Sequence, residues 1–244
     1  MLIFAHRGAS GYSPENTMVS FHKALEQHSD GIELDVRLTK DGVPVVCHDA
    51  TIKRTSNGKG YIHDFTLEEL KTYDFGSWYS DEFKGECIPT LEEVLILLKN
   101  RDILVNIEIK NGPIIPDHLE DEILHLIYKY ECNEKVIVSS FDHISLKKLN
   151  QLDNTIKIGF ILHHNLIHLF DYIDNSGIKP YSIHPNHFYT NKEMLINAQK
   201  RNIRVFPYTI DDLQLGEYYK NLGVDGMITN KPLAFKQSNV FTSN

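Results

Sequence analysis

Two histidines in this sequence stand directly beside a charged residue. His6 precedes Arg7, and His48 precedes Asp49. An imidazole titrates near neutral pH and can take part in general acid–base catalysis. A guanidinium group carries a permanent charge and a fork of donors that suits a phosphate. We therefore interpret His6 and His48 as a candidate acid–base pair and Arg7 as a candidate phosphate contact.

Two strand-like segments carry charges at alternate positions. Glu33 and Asp35 are two residues apart, as are Glu108 and Lys110, so each pair points to one face of an extended chain. Carboxylates inside a core are costly unless they are paired or bind a metal. Three of them would form an oxygen-only set suited to Mg²⁺ or Ca²⁺. We predict that Glu33, Asp35 and Glu108 bind one divalent cation and that Lys110 is a second phosphate contact.

An interior network of ion pairs is the alternative interpretation of these charges. It would join Glu33 and Asp35 to Arg37, and Glu108 to Lys110. The histidines favour the catalytic interpretation. Because the sequence has no serine or cysteine in a nucleophile elbow, the set indicates phosphoryl transfer to an oxygen nucleophile.

Eight short apolar runs alternate with segments of helical period along the chain. The predicted strands are residues 2–5, 31–36, 103–109, 135–139, 156–161, 181–184, 203–206 and 225–228. This alternation predicts an α/β fold, a (β/α)₈ TIM barrel. A doubly wound sheet is the main alternative, but no GxGxxG turn is present. His6 and His48 would then lie at the C-terminal ends of strands, where barrel enzymes hold their chemistry.

Local signals predict where several helices begin. Capping boxes start at Thr66, Thr90 and Thr190, and Pro14 follows Ser13 as a first-turn proline does.

The chain shows no linker or low-complexity segment, which predicts a single domain over residues 1–244. Residues 51–88 break the alternation, and we expect them to form an insertion between the second and third barrel strands that covers the active-site face. The aromatic residues of this insertion either line the pocket for a leaving group or pack the insertion onto the barrel; they are Phe75, Trp78, Tyr79 and Phe83.

Composition excludes several classes of protein. With 41% hydrophobic and 24% charged residues the chain can bury a core, and a net charge of −8 argues against a nucleic-acid partner. The sequence has no apolar run long enough to span a membrane and no recognisable signal peptide. Three scattered cysteines predict reduced thiols and a cytoplasmic location, with an exported paralogue as the alternative. Nothing indicates the oligomeric state.

An ordered series of motifs resembles the glycerophosphodiester phosphodiesterase family of bacterial type. The matching segments are His6-Arg7-Gly8, Pro14-Glu15-Asn16-Thr17, Glu33-x-Asp35, His48-Asp49, Glu108-Ile109-Lys110, Ser140-Phe141 and residues 223–229. The resemblance extends from residue 4 to about 232. It implies a TIM barrel with a small insertion over the site. It also implies metal-dependent hydrolysis of glycerophosphodiesters to an alcohol and sn-glycerol 3-phosphate.

The same resemblance assigns roles to individual residues. It implies that Glu33, Asp35 and Glu108 hold the metal and that His6 and His48 share the proton transfers; the positions that match the phosphate contacts are Arg7 and Lys110. Asn16 would brace the loop of His6 and Arg7.

Two positions depart from the family pattern. Asp211 stands where an asparagine is frequent, in a Trp-Thr-Val-Asn motif that here begins with Tyr208, and Asn230 stands where an aspartate is commoner. We expect these changes to affect the walls of the substrate pocket rather than the metal site.

Three other functions compete with this interpretation. A related TIM-barrel phospholipase acting on membrane phosphodiesters would need an exposed apolar or basic rim, which the sequence does not reveal. A metal-dependent sugar isomerase or aldolase gives no reason for the adjacent His6 and Arg7, and fold alone does not decide function. A non-catalytic binding module would not need every catalytic position filled. We expect a small soluble glycerophosphodiester as the substrate, with no stable membrane insertion.

Overall fold

Eight parallel strands form a nearly closed barrel, in agreement with the sequence-based prediction. The computed structural model describes residues 1–113 and 115–242, so residues 114, 243 and 244 of the expected 1–244 domain lie outside it. The barrel strands are β1 (Leu2–His6), β2 (Gly31–Leu38), β4 (Leu104–Ile109), β5 (Val136–Ser140), β6 (Lys157–Leu162), β7 (Ser182–Pro185), β8 (Arg204–Val205) and β9 (Gly226–Thr229). Their spatial order is β8-β7-β6-β5-β4-β2-β1-β9.

The strand register brings the charged positions to one level of the barrel. His6 of β1 pairs with Glu33 of β2, and Asp35 of β2 pairs with Glu108 of β4. The last gap, between β8 and β9, is crossed by single backbone hydrogen bonds, including one of 3.0 Å from Ile228 N to the Pro207 carbonyl. The first strands of the chain therefore place the acidic residues side by side.

A ninth strand, β3 (Pro44–Val46), pairs antiparallel with β2 and does not belong to the barrel wall. His48 follows the C-terminal end of this strand, as expected, but the strand lies outside the barrel wall. β3 folds back along β2, and Cys47 N donates to the Asp35 carbonyl at 2.9 Å. This hairpin returns His48 to the level of Asp35. The five-residue apolar stretch before His48, which includes Pro44, did not predict the hairpin.

Helices cover the outside of the barrel. They are α1 (Met18–Glu26), α2 (Leu67–Leu70), α3 (Leu91–Leu98), α4 (Leu119–Lys129), α5 (His143–Leu152), α6 (Leu169–Asn175), α7 (Lys192–Gln199), α8 (Leu213–Leu222), α9 (Pro232–Gln237) and α10 (Asn239–Thr242). The outward-facing Ile32, Leu34 and Val36 of β2 are fully buried in a cluster with apolar residues of these helices. In residues 1–113 and 115–242, no helix combines the length and apolar character needed to cross a membrane.

The helix starts agree with the sequence at Thr66 and Thr90, where both capping boxes are present. The prediction at Thr190 is wrong, because Asn191 caps α7 by accepting a bond from Met194 N. The prediction at Pro14 is also wrong. Its carbonyl accepts a hydrogen bond from Thr17 Oγ1, and Thr17 is itself the N-cap of α1.

Residues 51–88 lie between β2 and β4 and have a small core of their own. They contain α2 and two short 3₁₀ helices, Ile62–Asp64 and Asp81–Phe83. Phe75 packs in a buried cluster with Ile52, Leu70 and Ile88. The ring of Phe83 lies beneath the ammonium group of Lys23 of α1, with 5.5 Å between the ring centroid and Nζ. Phe75 therefore packs in the core of the segment itself, whereas Phe83 contacts a helix of the barrel.

Candidate active site

Three carboxylates meet near the C-terminal end of the barrel. Each of Glu33, Asp35 and Glu108 offers one oxygen within 4.8 Å of the others, and all three residues are buried. Glu33 Oε1 is buried without a hydrogen-bond partner in the described residues. Buried carboxylates need a counter-charge, and oxygen ligands in this arrangement suit a hard divalent cation. The cluster can therefore hold such a metal.

Two cations lie against this cluster. Lys110 Nζ is 3.2 Å from Asp35 Oδ1 and also contacts Glu108. Arg7 Nε is 3.4 Å from Asp35 Oδ2, and its Nη1 donates to Glu15 at 2.8 Å. Three clustered carboxylates thus face two cations, which leaves a negative excess for a metal to balance.

The ion-pair alternative is met only in part. Lys110 does pair with Glu108, but Arg37 points elsewhere. Its guanidinium donates to the carbonyls of His48 at 2.9 Å and of Gly112 at 3.0 Å. Arg37 therefore holds two loops together, and Glu33 does not receive the arginine partner that this alternative required.

The three carboxyl groups differ in proton affinity. Burial, together with the charges of Asp35 and Glu108, raises the pKa of Glu33 well above its usual value. Burial and the charge of Asp35 raise the pKa of Glu108 to about 7. Burial opposes ionisation of Asp35, but Lys110 and Arg7 outweigh it and hold its pKa below the usual range. Without a metal, the cluster therefore favours one fixed anion and two carboxyls that resist ionisation.

His6 lies inside the site. Its Nδ1 is 2.7 Å from Asn230 Oδ1, and its Nε2 is 3.9 Å from Glu33 Oε2. Burial and the nearby Arg7 lower the pKa of His6 to about 4. The ring is therefore neutral at pH 7 and can accept a proton.

His48 also lines the cavity and is partly exposed. Its Nδ1 is 2.7 Å from Asp49 Oδ1. Burial and the charges of Lys110 and Arg7 lower the pKa of His48, while Asp35 and Asp49 oppose that change. The partner of this imidazole is a carboxylate, which stabilises its protonated form better than the amide beside His6 does.

Arg54 links the carboxylate partners of Arg7 and His48. Its guanidinium donates to both oxygens of Glu15, at 2.7 and 2.8 Å, and to Asp49 Oδ2 at 2.8 Å. Glu15 in turn holds Arg7, and Asp49 holds His48. Segment 51–88, which contains Arg54, therefore contacts the partners of two site residues through ion pairs.

A cavity of about 130 Å³ opens beside the carboxylates. Its lining consists of His6, Arg7, Glu33, His48, Asn106, Glu108, Lys110, Phe141, Ile161, His184, Tyr208, Thr209 and Ile228. Since a water molecule occupies about 30 Å³ of liquid, the cavity suits a group the size of glycerol. Trp78 and Tyr79 are exposed, and the lining comes from barrel strands and the loops that follow them.

The structure brings together all seven site residues singled out from the sequence. Those at the cavity are His6, Arg7, Glu33, His48, Glu108 and Lys110, and Asp35 contacts both cations. Asn16 holds the backbone of Arg7 at 2.9 Å and also donates to Asp35 Oδ2 at 2.7 Å. The two departing residues, Asp211 and Asn230, bind each other and do not line the cavity, whereas Tyr208 of the same motif does line it.

Sequence reasoning gave no site role to Phe141 or His184, which line the cavity together with Tyr208. Phe141 and Tyr208 pack edge to face with ring centroids 6.0 Å apart, and Phe141 lies beneath the Lys110 ammonium group. His184 is fully buried and bonds Ser182. The signal for His184 was its place two residues after Ser182 in a predicted strand, which puts both polar side chains inside the barrel.

Known proteins resemble this chain over nearly all of its length. Residues 6–234 match the model of the glycerophosphoryl diester phosphodiesterase family. A glycerophosphodiester phosphodiesterase of Caldanaerobacter subterraneus is 42% identical over 231 residues, which cover 95% of this chain and 94% of the relative. One of Bacillus altitudinis is 39% identical over 236 residues, covering 94% of each chain.

Solved structures agree. A phosphodiesterase of Oleispira antarctica, determined with the product sn-glycerol-3-phosphate, has a TM-score of 0.88 at 28% identity and covers 96% of this chain and 94% of its own. A glycerophosphodiester phosphodiesterase of Thermotoga maritima has a TM-score of 0.74 at 30% identity, with 96% of both chains covered. The fold and the family match define a phosphoric diester hydrolase built on a TIM barrel. The chain belongs to the glycerophosphoryl diester phosphodiesterase family.

Proposed function

We propose that the protein hydrolyses glycerophosphodiesters to an alcohol and sn-glycerol 3-phosphate, with a divalent cation bound by Glu33, Asp35 and Glu108. The observation that carries the proposal is the convergence of three carboxylates, two imidazoles and two cations on one cavity. A cation held by these carboxylates would polarise a phosphoryl oxygen and offset the charge that develops on it.

The chain's own residues would orient the phosphate. Arg7 commits Nη1 to Glu15, while its Nε makes no hydrogen bond among the described residues. Lys110 lies between Asp35 and Glu108, from which its ammonium group can reach an anion in the cavity. Both cations are mostly buried, so their attraction for a phosphate is less screened than at the surface.

The two histidines would divide the proton transfers. The neutral ring of His6 would take the proton of the attacking hydroxyl or water through Nε2. His48, whose Nδ1 is held by a carboxylate, would give a proton to the leaving oxygen. This assignment follows from their unequal partners and supports the acid–base pair inferred from the sequence.

Chelation tests the proposed metal. Release of glycerol 3-phosphate from glycerophosphocholine should stop in EDTA and return with Mg²⁺ or Ca²⁺. Glu33→Gln should weaken binding of that cation, measured by calorimetry. The matched control is Glu92→Gln. Glu92 lies on α3, is half-buried and pairs with Lys129 of α4, away from the carboxylate cluster. Full turnover in EDTA would refute the proposed metal dependence.

A second candidate, hydrolysis of phosphodiesters at a membrane surface, is favoured by one observation. Three highly exposed apolar residues, not evident from the sequence, lie in segments that follow barrel strands. We call them the apolar rim and define it as Ile144, Ile167 and Phe188, which follow β5, β6 and β7 and are 76%, 93% and 79% exposed. Exposed apolar groups of this size are typical of contact surfaces. The cytoplasmic location predicted from the cysteines stays a prediction, and the described structure has all three thiols free.

A further inference from the structure

His6 is held from behind by a relay of two polar side chains. Its Nδ1 lies 2.7 Å from Asn230 Oδ1, and Asn230 Nδ2 donates to Asp211 Oδ2 at 2.6 Å. Asp211 Oδ1 also accepts from Asn230 N at 2.8 Å and from Thr229 Oγ1 at 3.0 Å. Asp211 is thus surrounded by three donors, while Asn230 stands between it and the imidazole.

The direction of these hydrogen bonds follows from Asp211. An ionised carboxylate can only accept, so the side of the Asn230 amide that faces it must be the NH₂ group. The amide oxygen is then turned towards His6. Because that oxygen can only accept, Nδ1 of His6 must carry the ring proton.

We propose that Asp211 and Asn230 are positioning residues that fix His6 in the tautomer protonated on Nδ1. Nε2 then presents its lone pair to the cavity on the side of Glu33, where a substrate proton must be accepted. The inference rests on the proposed role of His6 as a base. It adds that the carboxylate sets the orientation of the imidazole through a neutral amide.

The tautomer can be read directly and without turnover. The ¹⁵N chemical shifts of His6, assigned by their absence in His6→Gln, should show a protonated Nδ1 in the Mg²⁺-loaded enzyme. A proton on Nε2 would overturn the proposal whatever the enzyme hydrolyses. Failure of the wild type to release glycerol 3-phosphate would instead count against the proposed function.

Replacing the carboxylate of Asp211 by an amide should reverse the direction of the hydrogen bonds that run through Asn230 to His6. In Asp211→Asn the new NH₂ group would meet Asn230, whose amide would turn and offer its own NH₂ to His6. The proton of His6 would move to Nε2, so kcat should fall by about 10²-fold or more with KM within about threefold. Asp212→Asn is the matched control, since Asp212 caps α8 and asparagine is an equally good N-cap.

Exchanging the two residues should restore the relay. In Asp211→Asn/Asn230→Asp every hydrogen bond again has a donor and an acceptor, because the amide at position 211 would donate to the carboxylate at position 230, and that carboxylate would accept from His6. The exchange should bring kcat back to within about tenfold of the wild type. Thermal unfolding and the ¹⁵N shifts separate loss of fold from loss of orientation. A folded Asp211→Asn variant with wild-type kcat, or a folded exchange variant that stays as slow as Asp211→Asn, would refute the proposal.

Discussion

His6 and His48 follow similar apolar runs in the sequence, but their Nδ1 atoms have chemically different partners. The partner is the amide of Asn230 for His6 and the carboxylate of Asp49 for His48. A carboxylate favours an imidazolium, whereas an amide oxygen favours only the position of the proton. The two partners therefore differ in how strongly they stabilise an added proton, although burial lowers the pKa of both rings.

Removing either ring should disable catalysis with the fold retained. His6→Ala and His48→Ala should each lower kcat by about 10²–10⁴-fold, which is the usual contribution of a positioned acid or base. His22→Ala, on the exposed face of α1, is the control and should match the wild type. Wild-type turnover in His6→Ala or His48→Ala would assign that histidine a structural role.

The pKa of His6 predicts where the acidic limb lies in the profile of kcat/KM against pH. With a pKa of about 4 the ring stays neutral, and able to accept a proton, well below the usual histidine value of 6.5. The profile of kcat/KM against pH should therefore be bell-shaped, with its acidic limb shifted below pH 6.5. An acidic limb centred at or above 6.5 would contradict the role of His6 as the buried base.

Most of the site could be predicted because its residues are close in the chain or alternate along one strand. Glu33 and Asp35 share a face by strand geometry alone, and Glu108 follows on the neighbouring strand. Asp211 could not be placed, because its contact with Asn230 depends on the loop after β8 reaching the end of β9. No local pattern encodes that contact.

The short elements around β3 are joined to the barrel through charged side chains. Arg54 lies in the inserted segment, and it holds Glu15 before α1 and Asp49 after β3. The segment is thus connected to the loops that carry Arg7 and His48. Exposed ion pairs contribute little to stability, so the role of this connection lies mainly in alignment.

The variant Arg54→Ala should distinguish a role of Arg54 in aligning the site residues from a role in stabilising the fold. We expect kcat to fall by about tenfold, because Glu15 and Asp49 lose their shared donor, while the free energy of unfolding changes by about 1 kcal/mol or less. Lys53→Ala is the matched control, since Lys53 is its exposed neighbour. Equal kcat in the two variants would show that the connection does not align the site.

The boundaries of the barrel strands were predicted to within two residues, because short apolar runs flanked by polar turns leave few choices. β8 has only two residues where four were expected, since the chain meets β9 there through single hydrogen bonds. α7 begins one residue later than predicted, because two neighbouring residues could both cap it and tertiary packing selected Asn191. Such choices are not visible in a sequence.

The whole molecule divides its tasks between two sides of the barrel. The acidic residues, both cations and both histidines come from residues 6–110, while Phe141, His184 and Tyr208 line the far wall. The charged groups and the aromatic groups that line the cavity thus come from different strands.

Substrate range should follow from this division. Glycerophosphocholine and glycerophosphoethanolamine should be hydrolysed at rates within about tenfold of each other, since the binding energy comes mainly from the shared half. Phosphatidylcholine vesicles should be poor substrates. Comparable rates on vesicles, lost in Ile167→Ser/Phe188→Ser, would favour the membrane function suggested by the apolar rim.

The stability of the molecule should decrease in acid because of His184. Burial lowers the pKa of this residue to about 3, whereas in the unfolded chain it lies near 6.5. Between these values the unfolded state binds more protons, so the free energy of unfolding falls as the pH decreases from 6.5 towards 3. His184→Gln should make the dependence of chemical denaturation on pH shallower in this window. An identical slope in both proteins would refute this role.

The bond between His6 and Asn230 joins the first strand to the residue after the last, 224 positions apart. A chain emerging from the ribosome carries all three clustered carboxylates and both histidines by residue 110, long before Asn230 is made. His6 acquires its orienting partner only when β9 docks against β1. If His6 acts as proposed, an unfinished or C-terminally clipped chain would carry His6 without its partner Asn230.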